Sequence, residues 1–382
     1  MQSKKTWMLI ASVALMVVLM VLPFSAACAG GGAAPTPGAG IEQGVFQLKM
    51  TNTYPPLHRL TPDAFHWWGK EIEKRTNGRV SFVWFDGGTL AAGPDAYEAV
   101  RDGIADGGVV DLLREDPLFS LLEIGSVPYI LQNSWQGSPA NWELYQSSAE
   151  MQKVCSDAGV RPVWIHLTDI FNIHTTEKLI KTPADCPGQI LYAPGTMWTK
   201  ICESSGAKPI NFPWTDAYEA TQRGMLTGFF WPWAPIRSTK MTDLLPNHTV
   251  LNIAMTPWAG FMNPATWNSL PPDIQKVFDD LSLSMCALCG ATLTNEASDI
   301  IKEMEEKGHN FYTPQGAERE EWVSLTGKPI EDAWVKQQED AGYADAKDLL
   351  AKFRQLAEKY KDEAYGFDDW WGLAGRVWLL EK

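Results

Sequence analysis

A chain of 382 residues is longer than one hydrophobic core usually supports and long enough for two domains. With 45% hydrophobic and 20% charged residues it has the make-up of a soluble globular protein. A net charge of −14 argues against a nucleic-acid partner, whose phosphates demand a basic surface, and against docking on anionic lipid through a basic patch. Tryptophan is over-supplied, with 18 residues against 15 phenylalanines and 10 tyrosines. An indole joins a large apolar face to one N–H donor, which suits a rigid core or a wall for an amphipathic molecule.

Residues 1–28 carry Lys4 and Lys5, an apolar run from Met8 to Leu22, then Ser25-Ala26-Ala27-Cys28. That is the layout of a bacterial export signal; the run is short for a spanning helix, and Pro23 closes it. Cys28 stands where a lipobox places the cysteine that receives a lipid, although the usual leucine three residues earlier is missing. Cleavage near Ala27 or Ala29 is the alternative. Residues 29–44, rich in Gly, Ala and Pro, read as a linker. The expected location is the periplasm or the extracytoplasmic membrane surface, with the membrane reached only through that anchor.

From Val45 the pattern alternates between strand and helix, as in an α/β domain with a mainly parallel sheet. VFQLKM is a predicted strand, and TPDAFHWWGKEIEKRTNG is a predicted helix capped by Thr61, with Pro62 in its first turn and Gly78 at its end. Phe65, Trp68 and Ile72 are spaced to share one face of it. RVSFVWF, ADGGVVDLL, VRPVWIHL and FNIHTT read as strands, and GPDAYEAVRDG as a short helix stopped by Gly103. After GQILYAPG, TMWTKICESSG, KPINFPW and TDAYEATQRG repeat the rhythm.

GMLTGFFWPWAPIRS, residues 224–238, crowds Phe229, Phe230, Trp231 and Trp233 between Gly228 and Pro232, which predict a loop. HTVLNIAMTPWAGFMN returns as extended chain, and from Pro272 onward the pattern is almost wholly helical. Two α/β lobes result. The first takes residues 45–168 plus about 253–285; the second takes 169–252 plus about 286–382 with the C-terminal helices. Ligands of such sheets sit beyond the carboxyl ends of the strands.

No catalytic motif is present: G-x-S-x-G, H-E-x-x-H, the Walker A pattern and G-x-G-x-x-G are all missing. The six histidines are scattered without metal-ligand spacing, and Glu305-Glu306 and Asp279-Asp280 read as solvated helix faces. Cys155, Cys186, Cys202, Cys286 and Cys289 are odd in number; a Cys186–Cys202 bridge is conceivable, and the CxxC of Cys286 and Cys289 is too weak a signal for a metal. No enzyme, metal or cofactor is expected.

Five stretches between about Phe46 and Gly342 resemble, in order, the solute-binding proteins of TRAP (tripartite ATP-independent periplasmic) transporters of the DctP type. They are FHWWGKEIEKRTNGRVSF, GGTLAAGPDAYEAVRDGIADGG, TPADCPGQILYAPG, GAKPINFPWTDAYEATQRGMLTG and NPATWNSLPPDIQKVF. The resemblance implies a bilobal periplasmic-binding-protein-like fold, with hinge strands and a long helix in the C-terminal half. It implies closure on a small molecule, usually an organic acid, and delivery to the subunits of a membrane permease.

The family keeps an arginine in its kiRvpG pattern, whose guanidinium fork pairs with the ligand carboxylate. Tyr192 stands at that position, and Gln189, Ile190, Leu191 and Ala193 supply no base. After Gly228 the usual polar or acidic residues are replaced by Phe229, Phe230 and Trp231. The expected ligand is therefore an organic acid or related molecule of aromatic or apolar character. Tyr192 would hydrogen-bond it, Trp231 and Phe230 would stack on it, and Trp214 would form another wall. Asn172 could donate an amide, and Tyr54 would close from the opposite lobe. The alternatives are a simple aliphatic carboxylate held by another base such as Arg237 (or Arg59), and a ligand-binding subunit of a sensory system.

Overall fold

Eleven strands lie in two sheets in the computed structural model, which describes residues 44–115 and 117–361. The expected export signal, Cys28 and the expected linker up to Gln43 lie outside the described residues. In chain order the strands are β1 (Phe46–Asn52), β2 (Val80–Phe85), β3 (Gly107–Asp111), β4 (Arg161–Leu167), β5 (Asn172–Thr175), β6 (Ile190–Tyr192), β7 (Lys208–Ile210), β8 (Gly228–Trp231), β9 (Asn247–Thr249), β10 (Pro257–Met262) and β11 (Asn310–Tyr312).

The first sheet runs β2-β1-β3-β10-β4 and the second β11-β9-β5-β8-β6-β7. In the first, β1 is parallel to β2 and β3, while β10 enters antiparallel between β3 and β4. In the second, β6 is parallel to β7 and β8, and β5 is antiparallel to β8 and β9.

The chain passes from the first sheet to the second after β4 and returns before β10. The two crossings lie side by side: Thr168 N–H donates to Thr256 O at 2.9 Å, and Phe171 N–H to Ala254 O at 2.9 Å. A pair of adjacent extended segments is where a change of backbone angles can be absorbed most cheaply.

The helix Pro272–Glu306 is a third connection, about 50 Å long at 1.5 Å per residue. Its start packs Phe278 edge-on against Trp68 and Trp267 beside the first sheet. Its later turns reach Arg237, after β8, through Glu303 at 3.0 Å. Phe65, Trp68 and Ile72 are all buried, as their spacing predicts.

Thr61 is not the cap expected of it. The helix opens with a wider turn, Thr61–His66, and the Thr61 hydroxyl donates to Pro55 O at 3.1 Å. The expected lobe assignment of 286–382 also needs correction. The helix Ala346–Lys359 returns to the first-sheet helix Ser134–Ser147, where Gln136 Nε2 donates to Ala357 O at 2.7 Å and Lys359 pairs with Glu143 at 2.7 Å.

Residues 228–231 form a strand paired on both sides, not a loop. Gly228 is required for the close approach of β5, since a Cβ there would overlap the His174 carbonyl. Gly260 on β10 has a similar task opposite Trp164 on β4, where a Cβ would overlap the indole. Gly260→Ala should cost ~2–3 kcal/mol as Trp164 is displaced, read as an earlier denaturant midpoint at unchanged m-value.

All five described cysteines are free and buried. Burial pushes the Cys186 thiol up to about 11 and Cys202 to about 12, so neither supplies much thiolate at neutral pH. Alkylation followed by peptide mapping should modify none of the five until denaturant is added.

Candidate functional site

Strand ends from both sheets meet at one cavity. From the first lobe come Tyr54 and His58, after β1, with Asp111 at the end of β3 and Trp258 on β10. The crossings supply Thr168, Asp169, Phe171 and Thr256. Opposite stand Tyr192 at the end of β6, Trp214, and Trp231 at the end of β8.

The cavity is narrow, about 50 Å³, because rings occupy the space between the lobes. Tyr54 lies 4.4 Å from Trp258 and 6.2 Å from Trp214 between centroids, and Tyr192 lies 6.0 Å from Trp231. Small-molecule sites usually measure ~300–1,000 Å³. Entry of a ligand therefore requires the lobes to part. Asp111, Leu113 and Pro194 also line an adjoining outer groove of about 600 Å³ that carries Arg114 and Lys200.

Tyr192, Trp231, Trp214 and Tyr54 are brought together in this wall. Tyr192 is buried and tilts against Phe212 at 4.8 Å; burial raises its phenol well above the usual range, against the pull of the nearby Arg114 charge. Trp231 stacks on Phe229 at 4.9 Å. Three candidates fall elsewhere. Strand alternation turns Phe230 to the opposite face, toward Trp198 at 6.2 Å, so it is core.

Asn172 has its amide committed to the crossings: Oδ1 accepts from the Leu251 and Asn252 N–H groups, both at 2.8 Å, and Nδ2 donates to Ile170 O. Arg237 is held by Glu303 at 3.0 Å and Glu296 at 3.8 Å, outside the wall. Arg59 is similarly engaged by Asp63 and Asp299. Among the described residues, the wall contains no Lys or Arg.

Sequence reasoning missed Asp111, Asp169, Trp258 and Arg114. Asp169 is buried; its Oδ2 accepts from the Trp233 and Ala234 N–H groups, while its Oδ1 has no hydrogen-bond partner. Burial, reinforced by the Glu296 charge, pushes its carboxyl up to about 8, against the pull of those N–H donors. Asp111 is raised to about 6 by burial, opposed by Arg114, whose Nε lies 3.5 Å from its Oδ2. The available signal was an acid ending or interrupting an apolar run, in GGVVDLL and WIHLTDIF. Buried acids in such runs are expensive unless something faces them.

A histidine chain fixes Trp231 from behind. His174 Nε2 lies 3.1 Å from Trp231 O, His174 Nδ1 lies 2.8 Å from His248 Nδ1, and His248 Nε2 lies 3.0 Å from His309 Nδ1. A carbonyl only accepts, so His174 carries its proton on Nε2. The neutral chain then runs one way: His309 donates to His248, His248 to His174, and His174 to Trp231. Burial holds His174 at about 3 and His248 at about 2. Among the described residues, no group of three His, Cys, Asp or Glu side chains is placed to hold a metal ion.

Residues 51–337 match the DctP model, bacterial extracellular solute-binding protein, family 7. A solute-binding protein of Roseobacter denitrificans is 24% identical over 258 residues, covering 65% of this chain and 76% of that one. A TRAP solute-binding protein of Rhodoferax ferrireducens, solved with copurified benzoate, superposes with a TM-score of 0.77 at 23% identity, over 83% of this chain and 99% of its own. A marine metagenome TRAP solute-binding protein specific for aromatic acid ligands, solved with 3-hydroxybenzoate, gives 0.78 at 24% identity, over 84% and 100%. Likeness at this identity establishes the bilobal fold.

Proposed function

The chain belongs to the bacterial extracellular solute-binding proteins of family 7, DctP, and on that premise we propose that it is the extracytoplasmic receptor of a TRAP transporter. It captures a small organic molecule with an aromatic or apolar body between its lobes and delivers it unchanged to the membrane permease. Cys28 would tether it to the membrane surface by a lipid.

The observation that carries this reading is the ring-lined wall of Tyr54, Trp214, Trp231, Trp258 and Tyr192 at the interlobe cavity. Apolar surface leaving water there gains roughly 25 cal/mol per Å². The two solved relatives bind benzoate and 3-hydroxybenzoate, ligands whose rings such walls fit. The rival reading, an aliphatic carboxylate held by Arg237, finds that side chain already paired.

A thermal-shift screen over aromatic acids, neutral aromatics, aromatic amines and short aliphatic dicarboxylates tests the reading. Ring-bearing molecules should stabilise the protein most and be recovered intact by mass spectrometry. Best stabilisation by a dicarboxylate, or recovery of a converted product, would overturn it.

A further inference from the structure

Among the described residues, the cavity wall offers the carboxylate half of an aromatic acid no Lys or Arg. We propose that the captured molecule carries a protonated nitrogen at its polar end, an organic ammonium seated among the rings with an N–H directed at Asp169 Oδ1. This rests on the receptor reading above and names the charge of its ligand.

Three observations converge. The cavity wall holds two carboxyl groups, Asp111 and Asp169, and no Lys or Arg. Asp169 Oδ1 is a buried oxygen without a hydrogen-bond partner, and once the carboxyl ionises it is an acceptor whose donor the protein does not supply, a condition that costs ~1–3 kcal/mol unless a ligand supplies one. Tyr54, Trp214, Trp231 and Trp258 surround the same space, and ring faces are the negative end of the aromatic quadrupole, so they attract a desolvated cation.

Arg114 does not reverse the balance. It stands in the outer groove and faces the Asp111 carboxyl at 3.5 Å, so its charge is already matched. A carboxylate in the cavity would meet Asp111 with like sign and would have to displace that pair.

The protonation of Asp169 gives the proposal a sign. Without ligand its carboxyl, raised to about 8, is neutral at pH 7. Pairing with an ammonium requires that proton to leave, so affinity for a cation rises with pH toward 8, by up to about tenfold per unit. A carboxylate that accepts the Asp169 proton shows the reverse. The facing groups act the same way or stay silent: Glu296, at about 7, and Asp111, at about 6, ionise over this range and favour a cation. His58, at about 3, stays neutral, Tyr54 is raised further by burial, and the charges of Arg59 and Arg237 pull Glu296 downward.

Calorimetry with benzylamine, benzoate and benzyl alcohol, which share a ring and differ in charge, tests the inference at pH 6 and pH 8. The mature protein should bind benzylamine at least tenfold tighter than the other two, and tighter at pH 8 than at pH 6. Asp169→Asn should remove the preference and most of the pH slope at an unchanged circular-dichroism spectrum. Should that variant fail to fold, the wild type decides: benzylamine bound no tighter at pH 8 than at pH 6 counts against the inference. Benzoate binding tighter than benzylamine overturns the charge assignment and leaves the receptor reading standing. Binding of none of the three overturns it too, and the thermal-shift screen then decides the receptor reading by itself.

Discussion

Trp231→Ala should weaken ligand capture about thirty- to a hundredfold, measured by calorimetry with the molecule that most stabilises the wild type. Trp231 is buried at the end of β8, stacked on Phe229 and edge-on to Tyr192, with its carbonyl held by His174. Truncating a buried aromatic anchor of a binding site costs ~2–3 kcal/mol, and 1.4 kcal/mol is about tenfold in affinity. Phe230→Leu, one residue away, is the control. Its ring belongs to the face packed toward Trp198, so it should lower stability by ~1 kcal/mol and leave affinity within about twofold. Equal losses of affinity in the two variants would show that the strand's alternation does not govern the site.

The second large effect is a fall in stability between pH 6.5 and pH 8. A carboxyl with a raised folded pKa keeps its proton in the folded protein after the unfolded chain has lost it, so stability falls as pH rises through that window. The window runs from 3.8 to about 8 for Asp169, from 4.5 to about 7 for Glu296, and from 3.8 to about 6 for Asp111. Buried neutral histidines have the opposite sign. His58, His166 and His174, lowered from 6.5 to about 3, and His248, lowered to about 2, add stability as pH rises toward 6.5.

The two sets oppose each other between about pH 4 and 6.5, giving a shallow profile there. Below about pH 4 the histidines act together with carboxylates whose folded values are lowered by their partners, Asp185 and Glu303 among them, and stability drops steeply with acid. Above 6.5 only Asp169 and Glu296 act, and Asp169 alone accounts for on the order of 1–2 kcal/mol by pH 8. Calorimetric melting should therefore show a midpoint that declines from pH 6.5 to 8, and Asp169→Asn should flatten much of that decline. A midpoint that rises over the same interval would contradict the assignment of buried, proton-holding carboxyls.

Much of the architecture was legible in the sequence because periodicity reports it. Phe65, Trp68 and Ile72 declare one buried helix face, and five ordered stretches declare the family. The candidate wall was legible in part: Tyr192 and Trp231 at strand ends, and the aromatics Trp214 and Tyr54, are residues the sequence singles out. Phe230 was misplaced because Gly228 and Pro232 look like loop residues. Here the glycine admits a neighbouring strand and the proline ends the run, and only the strand's alternation separates Trp231 from Phe230.

Asn172 and Arg237 show a different limit. Composition says what a side chain can offer, while the partners that consume the offer come from the crossings and the long helix, some 65–80 positions away in sequence. Asp169 was the opposite case. Its value lies in an oxygen left without a partner, which no spacing of residues reports.

The most direct test is a crystal structure of the protein with the molecule that stabilises it best in the screen. The account predicts density between Tyr54 and Trp258 on one lobe and Tyr192, Trp214 and Trp231 on the other, with a polar atom of the ligand within hydrogen-bonding distance of Asp169. A ligand seated in the outer groove against Arg114 and Lys200, with the five rings still in mutual contact, would contradict it.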